Sequence, residues 1–247
     1  LLGRAMAVVA PEGAERAFVG PRFLWYDASE RERAFRFAGV ALTNAVLVAA
    51  TCALLYLLLL ELGFAASTAL GVALILGLAS PLLVYTKTFF TEPLATLGLT
   101  LLAWGMARWR NRPEVANAAL AGLGLGIAVL TKTAHLVLLP VIAAAAWLAA
   151  RAADRSQDSA PGRPRGWWMT NALAAVSALA LVLGLLAVLN VARFGSAFET
   201  GYGREIGFWS SPWLEGLLGQ LIGPGRGLLL YFPGVLLAAA GTPALLR

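Results

Sequence analysis

The sequence predicts an all-α fold: a polytopic bundle of about seven transmembrane helices, with a further amphipathic helix lying in the exoplasmic membrane surface. Two observations lead there. Of the 247 residues, 60% are hydrophobic and 13% charged, about half the charge of an ordinary soluble domain, so there is too little polar surface to clothe a globule of this size. The apolar residues also fall in charge-free runs, several of which reach the roughly 20 residues needed to cross about 30 Å of hydrocarbon. The net charge of +6 comes from arginines scattered between these runs rather than gathered on one face. That pattern points to loops beside anionic lipid and away from nucleic acid.

Taken in order, Leu1–Ala10 reads as the tail of an earlier helix and Pro11–Arg33 as a surface loop. Phe37–Leu60, Gly63–Thr86, Gly166–Ala192 and Gly227–Leu246 are long enough to span alone, whereas Pro93–Ala107, Val115–Thr131 and Thr133–Ala150 are shorter. Pro93–Ala107 becomes long enough if Glu92 sits at the interface, and only Lys132 separates the other two. The whole chain, 1–247, is expected to be a single transmembrane domain. Because Leu1 opens mid-pattern with no signal peptide in view, that domain is expected to be part of a longer protein.

Two basic clusters, Arg108/Arg110/Arg112 and Arg151/Arg155/Arg163/Arg165, orient the bundle. Both belong on the cytoplasmic side by the positive-inside rule. Val115–Thr131 and Thr133–Ala150 then form a hairpin whose tip, Lys132, faces outward. Leu1–Arg36, Tyr85–Glu92 and Arg193–Arg226 become exoplasmic. The connector 152–166, rich in Arg, Asp, Ser, Pro and Gly, reads as a flexible cytoplasmic loop. Within the loop 193–226, Ser211-Pro212 make an N-cap and first-turn pair. Trp213, Leu214, Leu217, Leu218, Leu221 and Ile222 follow on one helical face, as an interfacial helix requires.

Cys52 stands alone in an apolar run, so no internal disulfide forms. With one cysteine and one histidine, a zinc site of those residue types is excluded within this stretch, and the need for another divalent metal stays open. Gly122-Leu-Gly124-Leu-Gly126 lacks the spacing and the preceding strand of a dinucleotide fingerprint. Ala118, Gly122 and Gly126 instead have the small-xxx-small spacing of close helix packing.

Three polar groups have two readings each. In Tyr85-Thr-Lys87-Thr-Phe-Phe-Thr-Glu92-Pro93, Glu92 is either a capping acid at a helix N-terminus or a carboxylate lining an exoplasmic cavity with Lys87. In Leu130-Thr-Lys132-Thr-Ala-His135, Lys132 either snorkels or meets an anionic head group, and His135 is either a packed interface histidine or a ligand contact. In Pro224-Gly225-Arg226-Gly227, the guanidinium either snorkels or joins free backbone N–H groups at a phosphate. None of the four long runs carries an interior charge, unlike most ion-coupled transporters.

Three segments together, YTKTFFTEPL (85–94), AGLGLGIAVLTKTAHLVLLP (121–140) and the stretch from Asn190-Val-Ala-Arg-Phe-Gly-Ser to Gly223-Pro-Gly-Arg-Gly-Leu-Leu-Leu-Tyr-Phe-Pro, resemble the GT-C membrane glycosyltransferases of the family 39 type. That group includes protein O-mannosyltransferases and lipid A aminoarabinose transferases. The resemblance implies a GT-C-like bundle in the cell membrane and an outward-facing active site. It also implies a polyprenyl-phosphate sugar as donor, with an acceptor hydroxyl on protein, lipid or glycan. Glu92 matches the acidic residue at the outer start of a core helix, Lys132 the cation of the Leu-Thr-Lys turn, and Arg226 the arginine of the Pro-x-Arg-Gly turn. Tyr85, Lys87 and His135 lie in the same matching segments. The family's essential Asp of the first outer loop has no counterpart here, since Asp27 in Trp-Tyr-Asp-Ala-Ser does not fit its context; it is expected upstream of Leu1. Two other classes remain open, a lipid-phosphate carrier or flippase and a non-catalytic membrane scaffold.

Overall fold

A computed structural model describes residues 2–17, 28–88, 90–155, 166–199, 212–225, 227–232, 235–236 and 240–241. Among the described residues the regular structure is all helical, and it falls into two compact units, Leu1–Leu186 and Ala187–Arg247.

The first unit opens with α1 (Leu2–Val9) and a 3-10 turn (Ala14–Ala17), then α2 (Glu30–Glu61). Ser29 caps α2 by accepting the Glu32 N–H at 3.2 Å, as Ser followed three residues later by Glu favours. Arg31 reaches back to the carbonyls of Ala7, Ala10 and Pro11 and to Glu15. It thereby serves the carbonyls that α1 leaves open at its C-terminus. At 32 residues α2 rises about 48 Å, more than a bilayer core needs. With α8 (Trp167–Phe194, 28 residues), it is one of two described helices long and apolar enough to cross a membrane.

The run Gly63–Thr86 is not one helix, which corrects the sequence reading. It breaks into α3 (Ala66–Leu78) and α4 (Leu82–Tyr85). Pro81 has no N–H to carry the ladder on, and Ser80 takes over locally, donating to the Leu76 carbonyl and accepting from the Leu82 N–H. Proline inside a helix has this effect. Helix α5 (Glu92–Asn111) runs past Ala107 through Arg108 and Arg110, and α6 (Val115–Thr131) returns beside it. The segment Thr133–Ala150 also departs from the expectation of one uniform helix. It starts as a 3-10 turn, Thr133–Leu138, before α7 (Leu139–Arg155).

The core lies where α5 packs on α2 and α6. Leu102, Ala121, Leu125 and Val129 form its centre, joined by Leu179, Leu183 and Leu186 of α8. Backbones approach closely there. A β-carbon on Gly124 would fall 2.3 Å from the Leu102 nitrogen, and one on Gly122 2.0 Å from the Ala175 oxygen. Gly122 and Gly126 therefore face α8 while Gly124 faces α5, the packing use expected of small residues in a membrane bundle. Trp109 donates to Asn171 at 3.1 Å, tying α5 to α8. Arg108 lies over the Trp104 ring and Arg151 over the Trp147 ring, at 4.9 and 3.8 Å from the centroids. Elsewhere α3 and α8 turn large apolar side chains outward, among them Leu70, Ile75, Leu78, Leu173 and Leu181.

In the second unit Asn190 donates to the Ala197 carbonyl at 3.1 Å, across a turn at Gly195. Helix α9 (Trp213–Ile222) starts one residue later than a Ser211 cap implies, because Pro212 itself occupies the N-cap position with extended ψ; Ser211 lies outside the described residues. Trp213, Leu214, Leu217, Leu218 and Ile222 of α9 are all exposed. Of the run Gly227–Leu246, α10 (Leu228–Tyr231) is described as a helix, and most of the remainder lies outside the described residues.

Candidate functional site

Two helix ends meet in the first unit. Helix α5 begins at Glu92 because Pro93, which has no N–H to leave unpaired, suits a first helical turn. Helix α6 ends at Thr131, and Lys132 follows in an extended conformation with its N–H still bonded to the Ala128 carbonyl. The two helices are antiparallel neighbours of 20 and 17 residues, so the start of one lies beside the end of the other. There the Lys132 ammonium donates to Glu92 Oε1 at 2.7 Å.

The two oxygens of Glu92 differ. Oε1 holds Lys132, while Oε2 is buried and meets no donor among the described residues. Burial works to push this carboxyl up, but the Lys132 hydrogen bond, the residue's own backbone N–H and the ammonium charge outweigh it, and the group stays below its ordinary range. It is thus ionised at neutral pH, with one oxygen paired and one open.

The other sequence candidates are placed as follows. Among the described residues, the Lys87 side chain is exposed and makes no hydrogen bond or ion pair. Tyr85 ends α4 and packs its ring edge-on against Phe90, with centroids 5.7 Å apart. His135 is half-buried in the 3-10 turn, its Nδ1 donating to the Ala128 carbonyl at 2.8 Å. That carbonyl also takes the Thr131 hydroxyl and the Lys132 N–H. His135 therefore folds back on the C-terminal turn of α6 as a further donor to a carbonyl that the Lys132 N–H already engages. Arg226 lies outside the described residues. Before it, the Pro224 carbonyl accepts from the Tyr231 hydroxyl at 2.8 Å.

Sequence reasoning missed Asn44. This residue, 6% exposed within the apolar stretch of α2, directs its amide at the carbonyls of Thr88, Tyr85 and Phe90, at 2.7, 3.2 and 3.3 Å. It secures the turn that delivers Glu92 to the start of α5. Its signal was an amide inside an apolar run, where an unbonded polar group is costly. Among the described residues, no three His, Cys, Asp or Glu side chains group to hold a metal ion.

A family model described as dolichyl-phosphate-mannose-protein mannosyltransferase matches residues 19–194, most of the chain. The chain belongs to that family. The match takes in Tyr85, Lys87, Glu92, Lys132 and His135 and stops short of Arg226. The mannosyltransferase family consists of membrane glycosyltransferases, and its description names a dolichyl-phosphate-linked mannose as donor and protein as acceptor. No curated protein and no solved structure matches the chain.

Proposed function

We propose that the protein transfers a sugar from a polyprenyl-phosphate donor to an acceptor hydroxyl at the exoplasmic face of the cell membrane. In this reading α2, α3–α4, α5, α6, α7, α8 and the segment from residue 227 cross as about seven spans of one domain, and α9 lies in the outer interface. The observation that carries the chemistry is the Glu92–Lys132 pair with its one unpaired, buried carboxylate oxygen. A buried acceptor without a donor costs free energy unless something fills it. The hydroxyl of an incoming acceptor has the missing O–H.

The transfer forms a bond from the acceptor oxygen to the anomeric carbon and breaks the bond from that carbon to the phosphate oxygen. The acceptor proton passes to a carboxylate, and the bonding electrons leave with the lipid phosphate. Glu92 Oε2 orients that hydroxyl or assists its deprotonation. Lys132, Arg226 and Lys87 supply positive charge to the departing phosphate, while Tyr85 and His135 border the donor.

The test is transfer from a polyprenyl-phosphate sugar in membranes carrying Glu92→Gln or Lys132→Ala. Each should insert normally, and each should lower turnover by about 10²-fold, as loss of one preorganised electrostatic contact does. Wild-type turnover in both variants would return the pair to a purely structural role and favour a scaffold. Transfer-free movement of lipid phosphate across the bilayer would favour a carrier.

A further inference from the structure

Helix α5 does not fix its own start. Thr91 occupies the N-cap position with helical φ −89° and ψ −2°, and its side chain makes no bond to the first turn. An N-cap is ordinarily extended and holds one of those N–H groups with its side-chain oxygen. The chain ahead of it is tied loosely to itself. The N–H groups of Thr86, Lys87 and Thr88 reach carbonyls three residues back at 3.3, 3.2 and 3.3 Å, at or past the long end of the usual range. Because Thr91 is already helical, a shift of this turn passes to Glu92 with no joint to absorb it.

The stronger hold on the turn comes from α2. The buried Asn44 amide donates to the carbonyls of Tyr85, Thr88 and Phe90, the last of them two residues before Glu92. The Tyr85 and Phe90 rings meet edge-on across the same turn. Three carbonyls thus depend on one amide, so its removal frees the turn as a unit. Asn44 makes no hydrogen bond to Glu92 or Lys132. The pair itself tolerates little movement. At 2.7 Å, a displacement of about 1 Å takes it out of hydrogen-bond range, and misplacing a reacting group by that much costs up to about 10²-fold in rate.

We propose that Asn44 is a positioning residue of the transfer reaction. From α2, and without touching either substrate, it sets through the turn where Glu92 Oε2 meets the acceptor hydroxyl. That role rests on the place of Glu92 at the acceptor hydroxyl. An effect made through Glu92 belongs to the transition state, so kcat and kcat/KM should fall together while KM for the donor holds.

The experiment is a kinetic double-mutant cycle in membranes carrying the protein, with rates expressed per folded molecule. Asn44→Ala should lower kcat about 10-fold. In a Glu92→Gln background the same change should cost nothing further, because residues that act as a unit are not additive. Asn171→Ala is the structural control. It removes a buried amide that accepts from Trp109 of α5 and donates to the Trp167 carbonyl, and it should leave kcat within about two-fold. Asn44→Ser keeps one donor, should lose less than the alanine variant, and carries the same cycle if the alanine variant does not insert. Wild-type turnover in Asn44→Ala and Asn44→Ser would overturn the proposal, as would an undiminished loss on top of Glu92→Gln or an equal loss in Asn171→Ala. If Glu92→Gln alone turns over as wild type, the catalytic reading of Glu92 fails and this role falls with it. A loss in Glu92→Gln with none in the Asn44 variants fails this role alone.

Discussion

Asn44→Asp should harm this protein more than Asn44→Ala, although it changes the side-chain shape far less. The Asn44 amide nitrogen carries two hydrogens and faces three carbonyl oxygens, 2.7 to 3.3 Å away. Alanine removes both hydrogens. At about 1 kcal/mol net for each neutral hydrogen bond, the loss is about 2 kcal/mol, held to that level because exposed Lys87 and Phe90 let water reach part of the turn. Aspartate keeps the shape but sets carboxylate oxygens against the same carbonyls in a buried site, adding repulsion and lost solvation. Denaturant unfolding of the purified protein in mixed micelles at pH 7 reads the difference. The expected order is wild type, then Asn44→Ala, then Asn44→Asp. An aspartate variant at least as stable as the alanine one would refute the assignment of Asn44 as a donor to the turn.

A double-mutant cycle with Glu92→Gln and Lys132→Met should give a coupling of about 1 kcal/mol at neutral pH, since both side chains are partly exposed. Because the Glu92 carboxyl is held below its ordinary range, that coupling should persist to acid and vanish only as pH falls through the lowered value; a coupling already lost at pH 6 would contradict the pairing. Gly122→Ala should destabilise by about 1–3 kcal/mol through overpacking against Ala175. Gly71→Ala, where a β-carbon meets nothing within 4 Å, should be neutral or stabilising by up to ~1 kcal/mol, and equal unfolding curves for the two would argue against the close α6–α8 approach. Single cysteines at Ser159 and Ser210 in a Cys52→Ala background should react with impermeant maleimide from opposite sides of the membrane, and labelling from one side would overturn the proposed orientation.

The features legible in the sequence are those fixed by local chemistry. Charge-free length locates the apolar body of α2 and nearly all of α8, although α2 begins earlier, at Glu30 behind its Ser29 cap, and Pro93 and the Leu-Thr-Lys turn mark where α5 starts and α6 ends. Once a short connection makes those two helices antiparallel, their similar lengths bring Glu92 and Lys132 together. The break in Gly63–Thr86 was less visible, because a proline in an apolar run does not by itself say whether neighbours will re-satisfy the freed backbone. Here Ser80 supplies the local partners, and the helix ends. Asn44 escaped notice for another reason. Hydropathy and charge weigh one residue lightly inside a charge-free run of 24 residues, and its three partners lie more than 40 positions away in the chain. Only the packing of α2 against α5 makes them adjacent.

That packing also bears on what kind of machine this is. The buried polar side chains among the described residues are Asn44, Thr51, Asn117, Asn171 and Asn190, none of them ionisable. Each of the four asparagine amides donates to a carbonyl, including Arg112 for Asn117 and Trp167 for Asn171, while Thr51 donates within its own helix. They stitch turns and helix ends and offer no relay of charge. Proton- or ion-coupled movement through a bundle ordinarily places ionisable groups in its interior, whereas among the described residues the one carboxylate with a buried unpaired oxygen stands at the start of α5. A carrier would need its charged partner to travel past the amides. A transferase needs only that a hydroxyl and a lipid phosphate reach one end of α5 and α6, where an ammonium and a half-paired carboxylate are already held 2.7 Å apart.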